Sequence, residues 1–365
     1  MAAAARLRLP PVASRRFWQP TGRAPKPAPP SPHIGQGAAA YLAAAALAAP
    51  ALYAELQPDA VAAAFGLASA PLEACATLNE VQYWVNVTAA ANFSLLAAGV
   101  ALALAPSGDD SGLSAREASQ LALGLALFGA ANTTAAAVAA ARGADPAACA
   151  LFAAACAPAL LLGGGAASSG GPAPGEGGDV DVLQVAFDDA RALTKLTDNR
   201  GYLELYYKGS FFLTLVVGGA FAFSPLSPLS LVNAADPASN LLQRTFGLGA
   251  CFMLAPAQAV LARAAAEADG RGMSRPANRL LNLAIALSIA GIDTATVLSN
   301  DGAQRVLGGE TTQAYEAAAA SGALDAASGG LANYVAALLT SASICGVYLY
   351  QGLAAKGGAG DAGRA

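Results

Sequence analysis

The chain has 365 residues, of which 55% are hydrophobic and only 12% are charged, and its formal net charge is −4. Soluble domains carry about 25% charged residues, so half that share speaks against a soluble domain and indicates a membrane protein. No basic face for nucleic acid is present in the sequence, so nucleic acid is not expected as a partner.

Residue types that bind metals and cofactors are scarce. The single histidine, His33, lies outside every candidate membrane span, so haem or iron held by histidine is not supported. The five cysteines are scattered singly, without a CxxC spacing, which predicts neither a disulfide framework nor a zinc site. Phosphate-loop, GxSxG and HExxH motifs are missing, so no cofactor, metal or catalytic residue is evident and we do not expect an enzyme.

The first 35 residues form a leader that is basic and contains no acid. Its cations are Arg6, Arg8, Arg15, Arg16, Arg23 and Lys26. A leader of this composition resembles an organellar transit peptide, and a disordered cytosolic tail is the alternative. Residues 1–35 therefore favour a chloroplast membrane (thylakoid or inner envelope), with the mitochondrial inner membrane as the second choice.

Eight apolar segments follow the leader, and each is close to the ~17–25 residues that a membrane-spanning helix needs. The sequence therefore predicts an all-α integral membrane protein with about eight transmembrane helices. The segments are 36–53, 81–105, 115–141, 146–162, 208–223, 242–263, 276–298 and 331–353.

Charges between these segments are distributed unevenly. With eight spans, 17 of the 20 Lys and Arg residues fall on the side that holds both termini. The opposite side has only Arg142, Arg244 and Arg305 and is rich in acidic residues. By the positive-inside rule, the termini are predicted to face the stroma or matrix.

A Gly/Pro/Ser-rich stretch divides the chain into two halves of four spans. The third span of each half has a similar pattern, at 121–138 and 281–298, which predicts a parallel tandem repeat. Short loops favour a four-helix bundle in each half. The predicted order is a leader (1–35), a first bundle (36–162), a linker (163–179), an amphipathic surface helix (180–207), a second bundle (208–354) and a disordered tail (355–365).

The segment 278–300 is apolar enough to span a membrane but carries polar residues on one helical face. These residues are Asn278, Asn282, Asp293, Thr296 and Asn300, at spacings that return to one stripe on a 3.6-residue period. Lipid offers no hydrogen-bond partners, so the stripe is expected to face protein or a water-filled cavity.

Asp293 is the first candidate for a functional residue, because a carboxylate within a span is costly unless it is paired, protonated or hydrated. The repeat aligns Asp293 with Asn132 and Thr133, which predicts a polar cavity between the halves that also involves Asn282. The alternative is that Asp293 lies near the membrane interface, where ordinary solvation suffices. Gln258 is a further intramembrane amide, and hydrogen bonding between helices is the usual role of such a residue.

Several aromatic and basic residues lie near predicted span ends. Tyr206, Tyr207, Tyr348 and Tyr350 are interpreted as anchors at the membrane interface. Arg244 is interpreted as a residue that extends its guanidinium to the interface, or that pairs with Asp236.

Three possible functions follow from these patterns. The first is the passage of a small solute or ion through a polar cavity between helices. The alternative is a structural or assembly role in a photosynthetic or respiratory membrane complex, with membrane lipids, a larger complex or a homo-oligomer as partners. A third reading, a membrane enzyme acting on a lipid-like substrate, requires Asp293 as the acid.

Overall fold

The computed structural model describes residues 34–64, 78–105, 113–169, 191, 193, 201–223, 237–267, 272–299 and 330–354. Within these ranges the protein is helical and contains no β-strand, which confirms the all-α class. The helices are α1 (Ile34–Leu56), α2 (Pro58–Ala64), α3 (Leu78–Leu104), α4 (Ala115–Ala141), α5 (Pro146–Ser169), α6 (Tyr202–Phe223), α7 (Pro237–Gly249), α8 (Ala255–Ala266), α9 (Pro276–Ser299) and α10 (Gly330–Ala354).

Six helical stretches of the described chain are long and apolar enough to cross a membrane. One of them runs continuously through α7 and α8. They match six of the predicted spans and are Gly37–Leu56, Asn86–Leu104, Arg116–Ala141, Pro146–Ala166, Tyr202–Phe223 and Asn240–Ala266.

Helices α9 and α10 cover the seventh and eighth predicted spans with 24 and 25 residues. Neither belongs to the six apolar stretches. The count of eight spans therefore stays a prediction.

Several helices extend beyond their predicted bounds, and α5 and α6 do so by the most residues. Helix α5 continues through Ser169, into the predicted linker 163–179, because Gly163 lets it pack directly on α4. A Cβ atom at Gly163 would overlap the backbone of Ala122 and Ala126. Helix α6 begins at Tyr202, not at Lys208.

The other predicted segments are the leader, the surface helix and the tail. The structure describes only residues 34 and 35 of the leader, and only residues 191, 193 and 201–207 of the segment 180–207. The predicted tail 355–365 lies outside the described residues.

Helix α3 lies at the centre of the assembly. It packs along α1 and α9 and also contacts α7. In its most apolar stretch 78% of the residues are buried, compared with 28% in α1 and in α5. Close packing is possible because α3 has Gly99 opposite Ala284 of α9, where a Cβ atom would overlap the alanine.

The helices of the two halves are in direct contact. Helix α4 packs on α5 and contacts α7, while α6 packs on α7 and α8, and α10 packs on α9. The described helices, from α1 to α10, belong to one compact unit. The predicted bundles therefore do not close separately, because the most buried helix of the first half uses its surface to contact the second half.

A π-helical turn, Ala250–Leu254, interrupts the long stretch formed by α7 and α8. Pro256 follows it in the first turn of α8. Proline has no amide hydrogen to donate to the carbonyl four residues earlier, which is that of Phe252. A wider turn accommodates the ring there, and the carbonyl of Phe252 faces Gly124 of α4, where a side chain would not fit.

Candidate functional site

The polar stripe of α9 is buried within the protein. Asn278 and Asn282 have an exposed fraction of 0%, and Asp293 is partly buried. Ser288, on an adjacent face of α9, has an exposed fraction of 3%. From Asn278 to Asp293 the stripe runs along about 22 Å of helix, given a rise of ~1.5 Å per residue. The side chain of Thr296 and all of Asn300 lie outside the described part of the stripe.

Two amides at the start of α9 tie this helix to different elements. The Asn278 amide donates to the carbonyl of Gly272 at 2.8 Å. Asn282 accepts a hydrogen bond of 2.6 Å from the Tyr207 hydroxyl of α6, and its own amide donates to the carbonyl of Asn278 at 2.9 Å. The stripe thus links α9 to α6 and to the 3₁₀ turn before α9.

Two hydroxyl bonds continue this pattern further along α9. The Ser288 hydroxyl donates to the backbone carbonyl of Asn92 in α3 at 2.8 Å. The Ser341 hydroxyl of α10 donates to Asp293 at 2.7 Å. The described polar side chains of α9 therefore contact different neighbours.

A cluster of three tyrosines surrounds the Asn282 bond. The ring centroids of Tyr206, Tyr207 and Tyr348 lie 5.5 to 5.8 Å apart in three pairs. Gln258 of α8 donates to the Tyr348 hydroxyl at 3.0 Å. Phenol and amide groups form hydrogen bonds with one another but provide no strong nucleophile. The role of this cluster is therefore to join α6, α8, α9 and α10.

The interfacial interpretation was wrong for Tyr207 and Tyr348, which are fully buried with an exposed fraction of 0%. Because α6 begins at Tyr202, Tyr207 lies more than one turn inside the helix. Tyr350 is exposed, as an interfacial anchor requires. A buried tyrosine needs a partner for its hydroxyl, and the intramembrane amides Asn282 and Gln258 were the sequence signals that offered one.

Glu55 is the functional candidate that the sequence reasoning missed. It lies in the last turn of α1 and accepts a hydrogen bond of 2.5 Å from the Asn92 amide of α3. The Asn92 side chain also packs against Gly291 of α9, two positions before Asp293. Two carboxylates thus lie on helices that meet around Asn92, one from each half of the chain.

Asn132 and Thr133 lie on α4 and do not join Asp293 through a hydrogen bond. The Asn132 amide donates to the carbonyl of Phe128 in its own helix, at 2.9 Å. Asp293 instead has Ser341 as its partner. The repeat-based expectation placed these residues beside one another, but the structure gives them different neighbours.

Four buried oxygen atoms have no hydrogen-bond partner within the described residues. They belong to Asn132, Thr133, Gln258 and Asn278. An unpartnered buried acceptor costs about 1–3 kcal/mol, so these oxygens are suited to a donor or a cation. The part of the chain that the structure describes contains no group of three or more His, Cys, Asp or Glu residues able to hold a metal ion.

Charged side chains also connect the two halves of the chain near the N-terminal end of α4. Glu117 of α4 is buried and lies 3.9 Å from the guanidinium of Arg263 in α8. Arg263 also donates to the Gln120 side chain. These contacts add a polar link between helices and do not enter the α9 stripe.

Comparison with known proteins yields no family for this chain: no family model, no curated protein and no solved structure matches it.

Proposed function

We propose that this chain is a non-enzymatic, multi-pass membrane protein with a structural or assembly role in a larger membrane complex. The observation that carries the proposal is the bonding of the polar side chains of α9: Ser288 bonds to α3, Asn282 to α6 and Asp293 to α10. Polar groups used in this way hold helices in fixed register.

Burial favours this role over conduction. A path for a hydrated solute requires polar groups that face water. Asn278 and Asn282 have no exposed surface, and Tyr207, the partner of Asn282, has none either. The start of the stripe is therefore packed against protein.

Eight spans and a parallel repeat belong to the same proposal. The pattern of helix packing supports them, because the third helix of each half, α4 or α9, packs on the second helix of the other half, α7 or α3. This exchange is the arrangement that a two-fold relation between halves produces. The 24 and 25 residues of α9 and α10 are long enough to complete the count of eight.

The proposed location is an organelle membrane, with a chloroplast membrane first and the mitochondrial inner membrane second. The basic, acid-free residues 1–35 support import into an organelle. The segregation of 17 of 20 basic residues supports termini on the stromal or matrix side.

Passage of a proton, a cation or another small solute is the second candidate. Glu55 and Asp293 favour it, because α1 and α9 carry them to the helices around Asn92. The unpartnered oxygens of Gln258 and Asn278 favour it as well, since they leave acceptors inside the protein. This candidate requires a hydrated route between these groups.

The two candidates predict different results for Glu55→Gln and Asp293→Asn. A structural role predicts that both variants accumulate normally, because an amide keeps the shape and the hydrogen bond of each carboxylate. It also predicts that vesicles containing the wild-type protein show no more proton or cation flux than empty vesicles. Fluorescent reporters of vesicle pH and potential measure that flux.

Asp293→Leu completes the test. It removes the bond to Ser341, so a structural role predicts lower accumulation than for Asp293→Asn. Wild-type flux that disappears in the abundant Asp293→Asn variant would instead select the passage candidate. Ser343→Ala serves as the control, because the Ser343 hydroxyl is exposed and bonds only to the carbonyl of Leu339 in its own helix.

A further inference from the structure

A groove of about 650 Å³ lies between α4, the end of α6 and α7, away from the α9 stripe. Its walls are mostly apolar and include Leu127, Val138, Leu241 and Phe252. Two arginines, Arg142 and Arg244, also line it. The groove therefore combines a long hydrophobic surface with a pair of cations.

Other residues of the protein hold the guanidinium of Arg244 in place. Its Nε donates to the side chain of Asn240 at 2.8 Å, and its Nη1 donates to the carbonyl of Ala222 at 2.9 Å. These two bonds fix the orientation of the guanidinium. A guanidinium has five N–H donors, so three N–H groups of Arg244 take no part in these two bonds. A guanidinium that is already oriented loses little entropy when it binds an anion.

Arg142 follows the last residue of α4, and its side chain is exposed. The nearest acid in the sequence, Asp145, accepts the amide hydrogen of Ala148 at 2.8 Å at the start of α5. That bond draws the Asp145 carboxylate toward α5. Arg142 is thus available at the mouth of the groove.

The apolar wall extends far below these arginines. From Arg142 to Leu127 the helix covers about 22 Å, compared with ~15 Å for half of the hydrocarbon core of a bilayer. Leu127, Val138 and Phe223 are exposed, with fractions of 40%, 45% and 64%. The groove is therefore open along its side to the surface that would face lipid chains.

The distribution of basic residues distinguishes this groove from the rest of its side of the protein. In the predicted topology, the side opposite the termini has only three of the 20 basic residues, and two of these three line the groove. An acidic surface repels anions in general, so two arginines that line the same groove provide a local exception.

We propose that this groove is a binding site for a membrane lipid with an anionic headgroup, which Arg142 and Arg244 contact while an acyl chain lies along α4. The proposal rests on a membrane location but not on the structural role proposed above. A free phosphate or sulfate would use the arginines alone and leave the apolar wall uncovered. A zwitterionic lipid would cover the wall but place its own cation beside two arginines.

The test measures lipids retained by the purified full-length protein after transfer to nanodiscs that contain equal amounts of phosphatidylglycerol and phosphatidylcholine with the same chains. Native mass spectrometry counts the bound lipids. We expect the wild-type protein to retain phosphatidylglycerol preferentially. The preference should fall about fivefold in Arg142→Gln and about 30-fold in Arg142→Gln/Arg244→Gln, from the typical contribution of one basic residue near an anionic headgroup.

Three matched variants make the result specific. Arg116→Gln removes an exposed cation at the opposite end of α4 and should leave the preference unchanged. Ala131→Trp fills the apolar part of the groove and should abolish lipid retention with both arginines intact. Arg244→Lys keeps the charge but loses the planar guanidinium and should recover only part of the preference.

The proposal also has clear contrary outcomes. Equal retention of the two lipids by the wild-type protein would overturn it, as would an equal loss of preference in Arg116→Gln and Arg142→Gln. Displacement of the bound lipid by inorganic phosphate would assign the arginines to a small anion instead. Because Arg142 is exposed, Arg142→Gln keeps the test valid even if Arg244→Gln disturbs the packing of α7 on α6.

Discussion

Replacing Asn282 with leucine is expected to destabilise the protein by about 1–2 kcal/mol. The substitution removes the acceptor of the Tyr207 hydroxyl and leaves that hydroxyl buried without a partner. Hydrogen bonds between transmembrane helices contribute only ~0.6 kcal/mol on average, but the loss of a buried partner places this change above that average. Unfolding of the purified protein in increasing dodecyl sulfate measures the effect.

The double variant Asn282→Leu/Tyr207→Phe separates the hydrogen bond from general damage to the core. When both polar partners become apolar, the orphaned hydroxyl disappears, so most of the stability lost in Asn282→Leu should return. A double variant whose loss equals the sum of the two single losses would show that the two groups do not interact. The exposed substitution Ser343→Ala gives the background change.

Gly218→Leu is expected to have the largest effect of any substitution considered, a loss of 3 kcal/mol or more, at or beyond the upper end of the usual ~1–3 kcal/mol for overpacking. Gly218 lies on α6 where this helix meets α7 and the π-helical turn. A Cβ atom there would lie 2.7 Å from the Cβ of Ala250 and 3.1 Å from the carbonyl oxygen of Gly247. The helices must separate to admit a leucine.

The neighbouring residue supplies the control. A Cβ atom at Gly219 would meet no atom within 4 Å, so Gly219→Leu has open space around it. Leucine is also favoured over glycine in a helix by about 0.8 kcal/mol, so Gly219→Leu should be neutral or slightly stabilising. Thermal unfolding in detergent compares the pair. Equal losses in Gly218→Leu and Gly219→Leu would contradict the packing of α6 on α7.

The helices themselves were predictable from the sequence, because long apolar runs leave few alternatives to a helix. The polar stripe of α9 was predictable for the same reason: its spacing gave a single face, and lipid cannot satisfy that face. Asn282 is fully buried with a protein partner, in agreement with this expectation. For the stripe, the periodicity of polar residues alone predicted which face of the helix is buried.

Partners across the fold were not predictable. Nothing in the sequence connects Tyr207 with Asn282 or Glu55 with Asn92. Alanine-rich helices can pack together in many arrangements, and hydrogen bonds between single polar residues determine which arrangement forms. Glu55 was assigned to a loop because the predicted helix ended at residue 53, whereas α1 continues to Leu56. An error of one turn at a helix end therefore concealed an acid at the end of a candidate membrane span.

The expected convergence of Asn132 with Asp293 rested on the repeat alone. A two-fold relation places equivalent residues symmetrically about an axis, but it does not place them in contact. Here α4 packs on α5 and α7, whereas α9 packs on α10 and α3, so equivalent positions of the two third helices contact different helices. Helix packing explains why the candidate residues form separate clusters.

Purification of the tagged full-length protein from native membranes in mild detergent tests the central claim most directly. Size measurement and mass spectrometry of the co-migrating proteins give the result. A structural or assembly role predicts stable migration with a larger membrane complex, for wild type and for Asp293→Asn alike. Migration of the protein alone, together with an Asp293-dependent flux in reconstituted vesicles, would contradict it.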